Sequence, residues 1–143
     1  MKNNPKYDKR YKGGEDSFLV SSNKRFLGVC DGVGGWGEVD VCSGKFSKWL
    51  TNKMRELYDE QKEERPLRDI FIEAVKANPN GGSTTATLAK LLPFEGESQT
   101  TSAKMETCNL GDSAYMIVRP TTDHKLVKIH RSKEGTFEFD FPH

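Results

Sequence analysis

The chain has 143 residues, which is enough for one ordinary domain. Its 22 basic and 21 acidic side chains almost cancel, which argues against an obligate nucleic-acid-binding protein. Eight phenylalanines, four tyrosines and two tryptophans can anchor a core, and they argue against a disordered chain. We therefore expect one globular domain over residues 1–143.

Apolar runs and cysteines bear on the compartment. No apolar run approaches the roughly 20 residues that a membrane-spanning helix needs. Residues 1–12 contain no hydrophobic stretch typical of a secretory signal. Cys30, Cys42 and Cys108 are odd in number and widely spaced, which favours a reduced, intracellular protein. The sequence does not distinguish the cytoplasm from the mitochondrion.

The first predicted elements form a hairpin. Two short apolar runs at 16–22 and 25–31 flank a turn at 21–24, a pattern typical of paired β-strands. The glycine-rich segment 31–37 follows. Its glycines argue against a helix interior, and it is too long for a simple hairpin loop.

Two helices are predicted next. From Ser43 the apolar residues recur at steps of three and four, which predicts a helix ending near Glu64. Its apolar stripe consists of Phe46, Trp49, Leu50, Met54 and Leu57. Pro66 suits the start of a second helix, which residues 78–82 would end. The second stripe consists of Leu67, Ile70, Phe71, Ala74 and Val75.

The remaining pattern predicts only strands. They are expected at 83–92, 103–110, 113–119 and 125–130, with a polar loop at 93–102. Gly111 and Asp112 would form the tip of a hairpin, and the tail 131–143 has no clear closing element. Short links between successive strands imply antiparallel sheet, and adjacent helices imply a helical layer on it. The predicted fold class is α+β.

Carboxylates fall at the ends of these strands. Glu15 and Asp16 open the first strand and Asp31 closes the second, so a hairpin would bring them to one sheet edge. Asp112 lies at the predicted later tip. Acids beside glycines, where backbone carbonyls can also approach, suit a hard cation such as Mg²⁺ or Mn²⁺. Without a cation, the like charges would repel one another.

Each feature taken alone also has a simpler interpretation. Asp31–Gly32 and Gly111–Ser113 are common turn sequences, and Glu15–Asp16 suits a solvated strand end. His124, His130 and His143 are expected at the surface, and Cys30 and Cys108 are expected as small buried apolar groups.

A second hypothesis concerns Gly32–Gly37, which satisfies the G-x-G-x-x-G pattern of dinucleotide-binding loops. The preceding acid, the bulky Trp36 and the absence of a following parallel strand argue against it.

Taken together, the motifs resemble the metal-dependent type 2C (PPM) protein serine/threonine phosphatases. GEDSF (14–18), GVCDGVGGW (28–36), GGSTTATL (81–88) and CNLGDSAYMIVR (108–119) match that family in order and spacing. The DGVGGW form and HRS (130–132) are similar to a eukaryotic subgroup with mitochondrial and plastid members. The resemblance implies a layered α-β-β-α sandwich of antiparallel sheets with flanking helices.

The resemblance also implies roles for individual residues. Asp31 would bridge two ions of Mg²⁺ or Mn²⁺, the Gly32 carbonyl would bind one ion, and Glu15 would hold the other. Asp16 would organise metal-bound waters, and Asp112 would bind an additional, weaker ion. The Gly82–Ser83–Thr84 motif would support the site without a catalytic role. The family's phosphate-binding arginine has Tyr11 near its place, with Arg10 and Lys12 beside it.

The implied reaction hydrolyses phosphoserine and phosphothreonine in phosphorylated protein substrates by a metal-activated water, without a phosphoenzyme. The family's later metal-binding aspartates have no counterpart here, since Asp123 lies in a turn and Asp140 in the tail. We therefore expect the N-terminal portion of a phosphatase domain, with apolar faces left uncovered. The alternative is a catalytically incomplete regulatory or phosphoprotein-binding remnant. The sequence does not predict the oligomeric state.

Overall fold

The first two strands form the predicted hairpin. The computed structural model describes residues 14–92, 103–138 and 141–142, with β1 at Ser17–Val20 and β2 at Phe26–Cys30. They pair antiparallel, with Ser17 opposite Cys30. The side chain of Ser21 closes the turn, because its Oγ accepts the Phe26 N–H at 2.9 Å. Alternate residues of both strands therefore face one side, where Phe26 and Cys30 are fully buried.

Two further strands complete a four-stranded antiparallel sheet. They are β3 (Ala86–Leu91) and β4 (Met105–Leu110), and the strand order is β1-β2-β3-β4. The chain leaves β2, forms both helices and returns to place β3 beside β2. The predicted loop at 93–102 lies outside the described residues.

The two predicted helices are confirmed and pack on one face of this sheet. They are α1 (Ser43–Asp59) and α2 (Leu67–Ala77), with Pro66 as the N-cap residue of α2. Helix α1 ends at Asp59, earlier than the predicted Glu64. The shared core consists of Leu19, Phe26, Cys30, Leu50, Met54, Tyr58, Leu67, Ile70, Ala74, Ala86 and Leu88.

The buried face of α1 differs from the predicted stripe. Phe46 and Leu57 are only partly buried, whereas Ser47 and Thr51 are buried almost completely. Small polar side chains on this face let the first half of α1 approach the chain before β1 closely enough for hydrogen bonds. The face therefore combines an apolar half, centred on Met54, with a polar half.

The glycine-rich segment contains a 3₁₀ helix at Gly34–Val39. The prediction that this segment excludes helix was wrong. The tighter 3₁₀ geometry is used in short pieces and here lasts only six residues. Asp40, which is in the left-handed region at φ 61°, then ends it.

A separate pair of strands follows the four-stranded sheet. They are β5 (Met116–Pro120) and β6 (Leu126–Arg131), which pair only with each other among the described strands. The predicted hairpin with its tip at Gly111–Asp112 is therefore wrong. Gly111, at φ 85°, turns the chain out of the first sheet, and its carbonyl accepts the Gly135 N–H at 2.7 Å.

The tail also contains strands that were not predicted, β7 (Thr136–Glu138) and β8 (Phe141–Pro142), paired antiparallel. The described chain thus has antiparallel sheets and a helical layer, which confirms the α+β prediction. The sheet face opposite the helices is apolar and exposed, as predicted, with Phe18 75% and Val29 56% exposed.

Candidate functional site

The β1–β2 register brings the predicted acids to one end of the hairpin. Ser17 faces Cys30, so Asp16 and Asp31 each lie one residue beyond this pair. Glu15 adjoins Asp16, and the chain before β1 therefore runs beside the chain after β2. The hairpin places all three predicted acids at the same sheet edge.

Asp112 joins this acidic cluster from the end of β4. Partial burial raises the pKa of Asp31, and so does its hydrogen bond with Asp16. The negative charges of Asp16, Asp112 and Glu15 raise the pKa of Asp31 further. Asp31 therefore interacts electrostatically with the other three predicted carboxylates.

Residues just before β3 fix the backbone of Asp31. The Thr85 N–H donates to the Asp31 carbonyl at 2.9 Å, and the Asp31 N–H donates to Thr85 Oγ1 at 3.4 Å. Gly32 and Thr84 form an isolated antiparallel bridge, and the Val33 N–H donates to the Ser83 carbonyl at 3.0 Å. Segment 83–85 thus continues the β2–β3 ladder past the acids. The Ser83–Thr84 part of the motif predicted to support the site lies within it.

Thr85 also connects Asp31 with the segment that carries Asp112. Its Oγ1 lies 2.8 Å from Ser113 Oγ, directly after Asp112. The Asn109 amide donates to the Ser113 carbonyl at 2.7 Å and so holds the other side of the turn. The two aspartates are therefore positioned by a common set of short contacts.

Gly32 lies where no side chain fits. It is buried, and a Cβ atom added there would stand 2.4 Å from the Glu15 carbonyl oxygen. The chain before β1 and the chain after β2 therefore touch through their backbones.

Helix α1 holds the Gly14–Ser17 segment in place. The sequence analysis did not predict these contacts. Ser47 Oγ donates to the Glu15 carbonyl at 2.5 Å, and Thr51 Oγ1 lies 2.7 Å from Ser17 Oγ. Lys48 Nζ donates to the Gly14 carbonyl at 3.3 Å. The available signal was the spacing of small polar residues, because Ser43, Ser47 and Thr51 recur every four positions and share one helix face.

The 3₁₀ helix adjoins the acidic cluster and is fastened to segment 83–85. The Trp36 indole Nε1–H donates to Ser83 Oγ at 2.7 Å. The 3₁₀ helix leads into α1. The next strand to pair with β2 is β3, which runs antiparallel to it. The parallel βαβ unit of a dinucleotide-binding loop does not form, and that hypothesis is wrong.

Other predicted residues take no part in the cluster. Cys30 is fully buried, which raises the pKa of its thiol to about 12, and burial also raises the pKa of Cys108. His124 and His130 are exposed. Arg10, Tyr11, Lys12, Asp140 and His143 lie outside the described residues.

The donor set fits a hard cation in charge and in atom type, because carboxylates and backbone carbonyls lie at the same end of the sheet. Within ranges 14–92 and 103–138, however, no three His, Cys, Asp or Glu side chains lie close enough together to ligate one ion. The cluster therefore provides donors for a divalent cation without a closed ligand cage among the described residues.

Neither α1 nor α2 could span a membrane, and the described residues contain no other candidate helix.

Comparisons with known proteins place this arrangement in a family. No protein-family profile matches the chain. It is 34% identical over 142 residues to "Protein phosphatase PTC7 homolog fig" of Drosophila willistoni, covering 91% of this chain and 40% of the fly protein. It is also 34% identical over 116 residues to "Probable protein phosphatase 2C 55" of Arabidopsis thaliana, covering 80% of this chain and 23% of the plant protein.

A solved structure agrees in fold. The photosystem II phosphatase PBCP superposes with a TM-score of 0.72 at 25% identity, over 95% of this chain and 49% of that one. By sequence and by fold, the chain is similar to protein phosphatases of the type 2C (PPM) family. It spans less than half the length of these relatives. Metal dependence is typical of the type 2C family.

Proposed function

We propose that this chain is part of a metal-dependent phosphatase that hydrolyses phosphoserine and phosphothreonine in proteins. The observation that carries the proposal is the position of Glu15, Asp16, Asp31 and Asp112 at one end of the sheet, where the charges of the other three raise the pKa of Asp31. The similarity to protein phosphatases over 91% of the chain supports the same reaction class.

The proposed roles of the residues follow their positions. Asp31 and Glu15 would hold Mg²⁺ or Mn²⁺ with the Gly32 carbonyl, Asp16 would orient bound water, and Asp112 would bind a further ion. When bound, two or more such ions supply a hydroxide nucleophile at neutral pH and offset charge on the phosphoryl oxygens. The chain's own contribution is rigidity, because Thr85 fixes the backbone of Asp31 through two hydrogen bonds.

A second candidate is a regulatory or phosphoprotein-binding remnant that keeps the fold but does not catalyse. One observation favours it, which is that no three acidic side chains within the described ranges could ligate a single ion together. The two candidates differ in one measurable property, the release of phosphate.

The test is Mn²⁺- or Mg²⁺-dependent phosphate release from a phosphothreonine peptide. Asp31→Asn should abolish release and weaken Mn²⁺ binding measured by calorimetry. Asp123→Asn is the matched control, since Asp123 lies in the exposed turn between β5 and β6, and it should leave both unchanged. Undiminished activity of Asp31→Asn would overturn the proposal. A folded wild-type chain that binds phosphopeptide without releasing phosphate would support the remnant.

The remaining proposals concern the extent of the domain, its partners and its cellular location. We propose that residues 1–143 form the N-terminal portion of a type 2C domain, supported by relatives more than twice as long as the matched segment. Its partners would be phosphorylated proteins rather than nucleic acids, in keeping with a formal net charge of +1. The three free cysteines support an intracellular location, in the cytoplasm or the mitochondrion.

A further inference from the structure

The 3₁₀ helix presents an apolar stripe to solvent. With three residues per turn, positions three apart line up on one edge, which here carries Val33, Trp36 and Val39. These side chains are 36%, 39% and 65% exposed. None of the residues Gly34–Val39 is buried, so the helix does not use this stripe to pack against the core. Among the described residues, nothing covers the stripe.

The stripe is held rigidly in spite of its exposure. The Trp36 indole N–H donates to Ser83 Oγ at 2.7 Å, and the Trp36 carbonyl accepts the Val41 N–H at 3.1 Å. At the start of the helix, Ser43 Oγ donates to the Val33 carbonyl at 2.5 Å. A surface fixed in this way loses little conformational freedom when a ligand binds.

Segment 83–85 joins this stripe to the acidic cluster. Ser83 accepts the Trp36 indole, Thr84 bridges to Gly32, and Thr85 holds Asp31. Three consecutive residues therefore fasten the stripe and the acids to the same strand extension. Because both are bound to this extension, we expect a polypeptide whose phosphoryl group reached Asp31 to have neighbouring residues near the stripe.

We propose that the stripe of Val33, Trp36 and Val39 binds an apolar side chain of the substrate polypeptide, next to its phosphorylated residue. This inference rests on the proposed function. Because Ser83 already uses the indole N–H, Trp36 offers a ligand its apolar ring rather than a hydrogen bond. The stripe would therefore select among phosphoproteins by the residue that flanks the phosphothreonine.

The test compares three phosphothreonine peptides that differ only in flanking residues, which are leucine, serine or arginine. We expect the leucine peptide to have a KM about tenfold lower than the serine peptide, the scale of one apolar contact in a pocket. Val39→Ser should reduce this ratio to about threefold, on the same scale. Hydrolysis of p-nitrophenyl phosphate, which has no polypeptide, should not change.

The matched control is Val75→Ser, because Val75 is an exposed valine of α2 with 38% exposure. It should leave the peptide ratio and the p-nitrophenyl phosphate rate at wild-type values. Equal KM values for the leucine and serine peptides, or a preference for arginine, would overturn the inference. An unchanged ratio in Val39→Ser would also overturn it.

A binding measurement separates failure of this inference from failure of the proposed function. The chain has two tryptophans, so Trp49→Phe combined with Asp31→Asn leaves Trp36 as the only indole in a variant expected not to catalyse. The leucine peptide should change the Trp36 fluorescence at lower concentration than the serine peptide. If wild type hydrolyses neither peptide nor p-nitrophenyl phosphate, the proposed function fails, while this fluorescence difference would still support the stripe. Equal fluorescence responses would overturn the inference whatever the activity.

Discussion

Gly32 and Glu15 meet backbone to backbone, with the Glu15 carbonyl oxygen 2.4 Å from the position of a Cβ on Gly32. Neither partner can yield easily, because the obstacle is backbone held by α1 rather than the end of a flexible side chain. The close approach of two acid-bearing segments therefore depends on the absence of one methyl group.

Gly32→Ala should lower the free energy of unfolding by about 1–3 kcal/mol, the usual cost of forcing extra atoms into a packed site. Urea unfolding followed by circular dichroism measures the change. Gly35→Ala is the control, since a Cβ at Gly35 meets nothing within 4 Å. Equal midpoints for the two variants would show that the backbone contact does not constrain residue 32.

Ser47→Ala should destabilise the chain by about 1–3 kcal/mol, since it leaves the Glu15 carbonyl without this hydrogen bond. Ser47 is fully buried, so water cannot readily replace the hydroxyl. Asn52→Ala, at an exposed position of the same helix, should change stability by less than about 0.5 kcal/mol. Thermal unfolding of both variants checks the difference, and a loss no greater in Ser47→Ala would contradict the role of the hydroxyl.

Lys90 forms a buried charged cluster at the other end of β3. Its ammonium lies 2.6 Å from Glu64 and 2.9 Å from Glu106, and it donates to the Arg65 carbonyl at 2.5 Å. Glu106 also accepts the first N–H of α2, that of Leu67, at 2.9 Å. Lys90→Met should cost about 1–3 kcal/mol, less than a fully buried pair because both glutamates are partly exposed. Chemical unfolding at pH 7 measures this loss, and an unchanged free energy of unfolding would contradict it.

The pH dependence of this cluster follows from the sign of the shift. Burial alone would lower the pKa of Lys90, but the hydrogen bonds and charges of Glu64 and Glu106 outweigh it and raise the pKa above 10.5. The cluster therefore contributes its full stability below about pH 10.5 and loses it as pH rises through the higher folded pKa. The stability difference between wild type and Lys90→Met should shrink above that pH. A constant difference from pH 8 to 12 would contradict the assignment.

Cys30 should resist thiol reagents in the folded chain. Burial raises its pKa to about 12, so at pH 8 only about one molecule in ten thousand carries the thiolate. We expect Ellman's reagent at pH 8 to modify Cys42 and Cys108, which are both half-buried, and to reach Cys30 only when denaturant unfolds the chain. Cys42→Ser combined with Cys108→Ser should remove the fast phase. Fast labelling of Cys30, located by mass spectrometry, would contradict this prediction.

The acidic cluster could be predicted because hairpin geometry is local. Once residues 16–22 and 25–31 are assigned as paired strands, the alternation fixes Asp16 and Asp31 at one end. The contacts that position them involve residues far along the chain. Ser47 contributes from α1 and Thr85 from the approach to β3, and neither stands out by hydrophobicity.

The break between β4 and β5 was missed for a related reason. A short link containing Gly111 and Asp112 suits a hairpin equally well, and local sequence does not say whether two strands share a sheet. Whether β4 and β5 pair depends on Gly135 and Asn109, whose hydrogen bonds hold the turn between the two strands in its observed form. The same limit applies to α1, where apolar periodicity identified the helix but not the polar half of its buried face.

The hydrogen bond between Asp31 and Thr85 spans 54 positions of sequence, with both helices lying between the two residues. Closing so long a loop costs entropy that is recovered only when β3 docks, and non-local strand pairing slows folding. The hairpin and the helices can form early from neighbouring residues, whereas the acidic cluster gains its anchors only at this later docking step. We therefore expect the site to reach its final geometry only after β3 has docked beside β2.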